Sequence, residues 1–202
     1  MRRIEEFWIE FNPDAGKAEE EKKPPFIASF LFDITDSVKG AVLVVFLVFA
    51  LVFRAVGVDG GSMMPTLHDK DWVGVAGAVT EFEYGDIVII NQPWRRNVPI
   101  IKRVIAVGGD TVNIDFEKHE VYVNGVKLNE PYILEPTELS YDVQFPLTVD
   151  EGKLFVMGDN RNDSIDSRSS EIGLIDERYV LGKALVRIYP IEEWDIYSNF
   201  EG

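Results

Sequence analysis

The chain has 202 residues, of which 46% are apolar, and its formal net charge at pH 7 is −15. This length and apolar content fit one globular domain with accessory segments, and they exclude a wholly disordered chain and a protein with many membrane spans. The negative charge argues against a nucleic-acid partner, whose phosphates require a basic surface, and the absence of cysteine excludes thiol catalysis, thiolate metal sites and disulfides.

The first 37 residues are predicted to form an acidic, solvated tail. Their charged stretch KAEEEKKPP, at residues 17–25, offers little apolar surface for burial. Asp36 and Ser37, at the end of this region, are both residue types that cap the start of a helix. We therefore expect helical structure to begin near residue 38.

Residues 38–58, with the sequence VKGAVLVVFLVFALVFRAVGV, are predicted to be a single transmembrane anchor. As a helix they would reach roughly 31 Å, about one hydrocarbon thickness, and Lys39 and Arg54 lie where long side chains reach the interface. A cleaved secretory signal is the alternative, but the region before it is long and acidic instead of short and basic. The preceding lysines favour a cytoplasmic N-terminus, which would place the rest of the chain outside the cytoplasm.

Beyond residue 58 the pattern changes to short β-branched and aromatic segments bounded by turn residues, which is typical of strands. Asn124-Gly125 is a strong type I′ hairpin signal. No long helical period occurs, so residues 59–202 are predicted to form an all-β domain. The predicted strands are Trp72–Ala76, Asp86–Ile90, Pro99–Val107, Thr111–Asp115, Glu120–Val123, Lys153–Met157 and Ala184–Tyr189.

The segment GGSMMPTL, at residues 60–67, places Ser62 in a glycine- and proline-bounded turn directly after the apolar segment. This pattern fits a simple connection, and it also fits a nucleophile on an exposed turn. A serine nucleophile needs a base, and neither histidine is a strong candidate. His68 lies in a charged turn and His119 precedes a hairpin, and the segment around Ser62 lacks the G-x-S-x-G elbow of Ser-His-Asp hydrolases. With only two histidines in the chain, a multi-histidine metal centre is not expected either.

Lys102 is the stronger candidate base because it lies inside the apolar strand PIIKRVIAV. Alternation allows only one of Lys102 and Arg103 to point inward, and the pattern does not say which. Burial lowers the pKa of a lysine amine, whereas an arginine stays protonated. If one of the two is the base it is Lys102, and the alternative is a strand edge with both cations in solvent.

The loop MGDNRNDSIDSR, at residues 157–168, is dense in hydrogen-bonding side chains and follows a buried strand. A calcium loop does not fit it, because Arg161 and Ile165 stand where oxygen ligands belong and Ser170 stands at the twelfth position counted from Asp159. A hydrogen-bonded network and a plain surface loop both remain open.

Over about residues 39–187 the chain closely resembles type I signal peptidases of the bacterial Ser–Lys class, the S26 family. The resemblance rests on five segments in this order: the apolar segment, GGSMMPTL, YGDIVII, IIKRVIAVGGD and MGDNRNDSIDSR. The resemblance implies a mainly β fold, in which a signal-peptidase/LexA-like all-β catalytic domain follows a single N-terminal transmembrane helix. It implies removal of signal peptides through an acyl-enzyme, with no metal and no cofactor.

The resemblance also implies roles for individual residues. Ser62 would be the nucleophile, Lys102 the general base, and Ser164 the hydroxyl that orients the lysine amine. Asp166 and Arg168 would form a supporting ion pair.

The oxyanion and substrate sites implied by the resemblance depart from the family pattern. The N–H of Ser62, aided by Gly60, would hold the oxyanion, although many relatives carry a Ser or Thr at the position of Gly60. Asn162-Asp163 stands where the family usually has Asp-Asn, and Ile100 stands where an aromatic residue is common. The predicted substrate-binding residues are Met63, Pro65, Ile100 and Ile101.

The implied partners are secretory preproteins with small residues at the −3 and −1 positions, membrane lipid and the translocase. One alternative is a LexA-like self-cleaving Ser–Lys protein, which would need a helical DNA-binding domain and no membrane span. The other is a non-enzymatic, membrane-anchored β-domain that serves as a scaffold.

Overall fold

The computed structural model describes residues 26–77, 79–91 and 98–191. The predicted acidic tail therefore lies outside the described residues as far as residue 25. The described chain forms a helix, α1 (Phe26–Val52), in which the residues up to Leu47 belong to one unit and those from Val48 onward to a second. The strands, all in the second unit, are β1 (Phe53–Gly57), β2 (Trp72–Ala76), β3 (Ile87–Ile90), β4 (Ile100–Val107), β5 (Thr111–Asp115), β6 (Glu120–Val123), β7 (Val126–Lys127), β8 (Leu147–Thr148), β9 (Lys153–Met157), β10 (Ile175–Asp176) and β11 (Val180–Tyr189).

Helix α1 begins twelve residues before the predicted start of the anchor and passes through Asp36 and Ser37 without a break. Neither residue caps a helix, because the chain before them is already helical; Asp36 instead accepts a hydrogen bond from Lys39 Nζ at 3.0 Å on the exposed helix surface. Within residues 26–77, 79–91 and 98–191, no helix combines the length and the apolarity that a membrane span requires.

Strand β1 corrects the C-terminal boundary of the predicted anchor. Residues 38–58 were expected to form one helix, but the helix ends at Val52 and Phe53–Gly57 pairs antiparallel with β2, from Phe53 opposite Ala76 to Gly57 opposite Trp72. The pairing satisfies the backbone polar groups of this segment, and Val56 packs against the core. Tertiary pairing thus ends the helix earlier than the apolar pattern predicts.

The strands form two antiparallel sheets, which confirms the mainly β prediction. The larger sheet has seven strands in the order β1-β2-β11-β3-β4-β9-β10, and the smaller has four in the order β7-β6-β5-β8. The predicted hairpin is present between β6 and β7, where Asn124 and Gly125 have φ values of 53° and 78°. The two-residue strands β7, β8 and β10 are too short to give a period of their own.

The centre of the larger sheet is buried on both faces. Along β3, Ile87 and Ile89 pack into one apolar cluster while Val88 and Ile90 pack into another, and each is at most 1% exposed. Such two-sided burial explains the continuous apolar sequence of the central strands. Strand β4 lies between β3 and β9, so its polar side chains enter a protected interior.

Candidate active site

The turn that carries Ser62 lies between β1 and β2. Its backbone closes on itself through bonds from Met64 N to Gly61 O at 3.1 Å and from Leu67 N to Met63 O at 2.9 Å. Met63 and Leu67 are 1% and 0% exposed and anchor the turn in the core, whereas Ser62 is only half-buried. The turn is therefore held in place by its buried residues and leaves the serine partly exposed at the surface.

The structure brings Ser62 and Lys102 together. Lys102 Nζ donates a hydrogen bond to Ser62 Oγ at 2.7 Å, across 40 residues of sequence. Lys102 is 4% exposed and lies opposite Val88 of β3 in the ladder. A serine hydroxyl and a desolvated amine at this distance have the geometry of a nucleophile and its base.

Arg103 is also buried, which corrects the prediction that only one of the two cations points inward. It is 0% exposed and holds Asp159 through Nε at 2.8 Å and Nη2 at 2.6 Å. Its Nη1 donates to Gly85 O at 2.7 Å, and its guanidinium lies 4.0 Å from the centre of the Tyr132 ring. Both faces of β4 are covered by other segments, so these two neighbouring side chains are both buried, one on each face of the strand.

The polar loop after β9 forms a buried network around Asp166. The Asp166 carboxylate pairs with Arg168 through Nε and Nη2, both at 2.8 Å, and accepts bonds from Ser164 Oγ at 2.9 Å and Gly158 N at 3.0 Å. The side chains of Asp166 and Arg168 are fully buried. The loop is thus a hydrogen-bonded network, and the orientation of the Lys102 amine by Ser164 stays a prediction.

Gly158 and Asn160 are contacts of the nucleophile turn that sequence reasoning missed. A Cβ on Gly158 would lie 2.3 Å from Ser164 Oγ and 2.5 Å from Ser62 O, so only glycine fits between them. Asn160 donates from its N–H to Ser62 O and from Nδ2 to Gly61 O, both at 3.1 Å. A glycine directly after a buried strand is the signal that points to such a close approach.

The two predicted oxyanion donors, Gly60 and Ser62, differ in whether their N–H groups are already hydrogen-bonded. The Gly60 N–H donates to Asp69 Oδ1 at 3.0 Å, and this bond is the main cause that lowers the pKa of the Asp69 carboxyl below its ordinary value. Gly60 has a φ of 92°, which favours glycine, but its engaged N–H does not support it as an oxyanion donor. Among the described residues, the N–H of Ser62 has no hydrogen-bond acceptor.

An apolar cavity of about 280 Å³ opens beside the Ser62–Lys102 pair. Of the predicted substrate-binding residues, Met63, Ile100 and Ile101 line it, whereas Pro65 is exposed and is not part of its wall. The cavity suits small apolar side chains of an extended ligand. Its walls come from β1, from the nucleophile turn and from the start of β4, namely Val56–Gly60, Ser62, Met63 and Val98–Lys102.

The sequence matches the family described as signal peptidase, peptidase S26, over residues 31–189. The chain is 39% identical to a signal peptidase I of Bacillus licheniformis over 183 residues, which cover 86% of this chain and 96% of the relative. The chain belongs to the signal peptidase S26 family. It is also 36% identical to signal peptidase I S of Bacillus subtilis, with 76% and 86% of the two chains covered.

Among solved structures, a signal peptidase I from Enterococcus faecalis is 30% identical to the chain, with a TM-score of 0.44, over 52% of this chain and 98% of its own. Membership of the S26 family, with relatives named signal peptidase I, makes the protein a serine endopeptidase that removes signal peptides from secretory preproteins.

The two histidines, His68 and His119, are both exposed.

The Asn162-Asp163 departure from the S26 pattern has a structural account. Asn162 Oδ1 accepts bonds from the N–H groups of Glu138 at 3.0 Å and Leu139 at 3.1 Å. Its Nδ2 donates to Glu135 Oε2 at 3.2 Å and to Pro136 O at 3.1 Å. A carboxylate could not donate these last two bonds, so an amide at this position fits the segment that crosses the loop.

Proposed function

We propose that Ser62 and Lys102 form the catalytic dyad of this peptidase. The observation that carries the proposal is the 2.7 Å contact between Lys102 Nζ and Ser62 Oγ, made by a lysine that is 4% exposed. In the described chain this contact lies beside an apolar cavity large enough for small substrate side chains.

The reaction follows from this geometry. Neutral Lys102 accepts the Ser62 proton as Oγ attacks the scissile carbonyl carbon, and the N–H of Ser62 faces the oxyanion. Lys102 then protonates the leaving amine as the peptide bond breaks, which leaves an acyl-enzyme on Ser62. Water gives a proton to Lys102 and attacks the ester; as the bond between the acyl carbon and Ser62 Oγ breaks, Lys102 returns this proton to Oγ, and the carboxyl product leaves.

Burial is what makes the lysine suitable as a base. An amine removed from water disfavours its charged form, which lowers its pKa. We expect activity to rise with pH as the Lys102 ammonium loses its proton, because only the neutral amine accepts the serine proton. Ser164 orients this amine, and the Asp166–Arg168 ion pair fixes Ser164.

The substrate is an extended segment of a preprotein. β1 lies at one edge of the larger sheet, where an added strand can pair. Small side chains at the −1 and −3 positions enter the cavity lined by Met63, Ile100 and Ile101. The apolar walls and the limited volume exclude large or charged groups there.

Helix α1 anchors the peptidase to the membrane through its apolar C-terminal part, with the N-terminus in the cytoplasm and residues 59–202 outside. The support is the uninterrupted apolar sequence from Gly40 to Phe53 and the lysines that precede it. This arrangement keeps the site at the membrane surface, where a precursor leaves the translocase.

The test is cleavage of a model preprotein by the purified full-length chain, with the cut mapped by mass spectrometry. Ser62→Ala and Lys102→Arg should both abolish cleavage, since arginine keeps the charge but cannot accept a proton. His68→Ala and His119→Ala serve as controls on exposed residues and should remain active. Near-normal turnover in Lys102→Arg would contradict the dyad.

The same experiment separates the alternatives. A self-cleaving protein would cut its own chain and leave the preprotein intact, and a scaffold would cut neither.

A further inference from the structure

Arg187 is a buried cation of β11 that points toward the nucleophile turn. It is 6% exposed and lies opposite Val73 of β2. The register between β11 and β2 shifts on both sides of it, between Ala184 and Val186 and between Arg187 and Tyr189. Such irregularities redirect side chains, and here they turn a guanidinium into the interior of the sheet.

The Arg187 guanidinium connects β11 to the C-terminal half of the nucleophile turn. Its Nη2 donates to the carbonyl oxygen of Thr66, and its Nε lies 3.5 Å from Asp71 Oδ2. Asp71 is 4% exposed, and the same oxygen accepts the N–H of His68 at 2.8 Å. Arg187 and Asp71 together thus hold the backbone at residues 66 and 68.

Thr66 is fixed from a second direction by its hydroxyl. Thr66 Oγ1 donates to Asp159 Oδ2, and Asp159 is held by Arg103, the neighbour of Lys102 on β4. The carbonyl of Thr66 is therefore tied to β11 and its side chain to β4. Because hydrogen bonds with a charged donor or acceptor are stronger than neutral ones, both bonds restrict where the turn can lie.

We propose that Arg187, with Asp71, is a positioning residue that sets the distance between Ser62 Oγ and Lys102 Nζ. The inference rests on the proposed Ser62–Lys102 dyad. Arg187 does not touch the reacting atoms; it acts through the Thr66 carbonyl, four residues beyond the nucleophile. Without it, the buried Asp71 carboxylate loses a cation and the Thr66 carbonyl loses its bond to β11.

The primary test is Arg187→Gln in the full-length chain, assayed with a model preprotein at a temperature where the variant is folded. A displacement of the serine by about 1 Å costs on the order of 10²-fold in rate, so kcat should fall between about tenfold and hundredfold. KM should stay within about threefold, because much of the cavity wall comes from β1 and from residues 98–102, outside the turn. A looser turn also admits water to Lys102, so the ascending limb of the pH–kcat profile should move to higher pH.

Arg187→Lys and Asp71→Asn test the same contact more mildly and decide the matter if Arg187→Gln does not fold. A lysine keeps the charge but lacks the planar donor fork of the guanidinium, so Arg187→Lys should recover part of the lost kcat. The double variant Arg187→Gln/Asp71→Asn should lose less than the two single losses combined, because both residues act through one contact.

Arg178→Gln is the matched control. Arg178 forms a bidentate pair with Asp176 on the surface, where its side chain is 84% exposed, and its loss should leave kcat and the pH profile unchanged.

The proposal is overturned if folded Arg187→Gln keeps a wild-type kcat and pH limb, or if only its melting temperature falls. Ser62→Ala distinguishes this failure from failure of the dyad. An inactive Ser62→Ala beside a fully active Arg187→Gln refutes the positioning role alone, whereas an active Ser62→Ala refutes the dyad on which it rests.

Discussion

Replacing Gly158 with alanine should impair catalysis because this glycine separates two parts of the site. An added Cβ would lie 2.3 Å from Ser164 Oγ, 2.5 Å from Ser164 Cβ and 2.5 Å from the carbonyl oxygen of Ser62. Ordinary contacts of a Cβ begin near 3.4 Å. Both the nucleophile turn and the Ser164 loop must therefore shift by about 1 Å relative to residue 158, and Ser62 O is backbone that cannot rotate away.

The size of the effect follows from this displacement. A misplacement of about 1 Å at a reacting group costs on the order of 10²-fold in rate, so Gly158→Ala should lower kcat about hundredfold. Forcing a methyl group into a packed interior costs about 1–3 kcal/mol of unfolding free energy. The loss of kcat should therefore exceed what the loss of folded protein explains.

The assay is steady-state cleavage of a preprotein peptide, with thermal unfolding followed on the same samples. Gly40→Ala is the control, since a Cβ there meets no atom within 4 Å and the residue lies in α1. The reasoning is refuted if Gly158→Ala is folded and keeps its kcat within about twofold of the unchanged chain, a change too small for a displaced nucleophile.

Three further predictions concern the loop, the covering segment and the anchor. Ser164→Ala should lower kcat more than it raises KM and leave the domain folded, because the hydroxyl orients an amine needed only in the transition state; a kinetic analysis that finds full turnover would reduce Ser164 to a structural role. Asn162→Asp should lower the free energy of unfolding by about 1–2 kcal/mol, since it removes two donated hydrogen bonds and faces Glu135 with a second carboxylate; an unchanged urea midpoint would contradict this. The protein should stay with membranes through high-salt and carbonate washes, and external protease should digest residues 59–202 and spare the tail; release of the full-length chain by carbonate would disprove the anchor.

Most of the β domain could be predicted because local pattern and tertiary environment agree there. The strands from β2 to β6, β9 and most of β11 follow from short β-branched runs between turn residues, and Asn124-Gly125 marks its hairpin. β1 could not be found this way, since its residues continue an apolar run and only pairing with β2 makes them a strand. Strands of two residues carry no period at all.

The candidate dyad, too, could be predicted only in part from the sequence. The sequence indicated Ser62 by its turn and Lys102 by its apolar strand, and order along the chain connected both to the S26 family. The alternation of side chains along a strand could not reveal that Arg103 is buried as well. The residues that cover Arg103, Asp159 and Tyr132, lie far from it along the chain.

The sequence by itself determined the mainly β class, the nucleophile turn and the chemistry available to it, because these depend on residue type, local period and motif order. Only the tertiary structure decided which groups meet: Lys102 with Ser62 at 2.7 Å, Gly158 between Ser62 and Ser164, and Arg187 against the Thr66 carbonyl. The contact of Lys102 with Ser62 joins residues 40 positions apart, and that of Arg187 with Thr66 joins residues 121 positions apart. Their geometry is set by strand register and bulges, which no local pattern encodes.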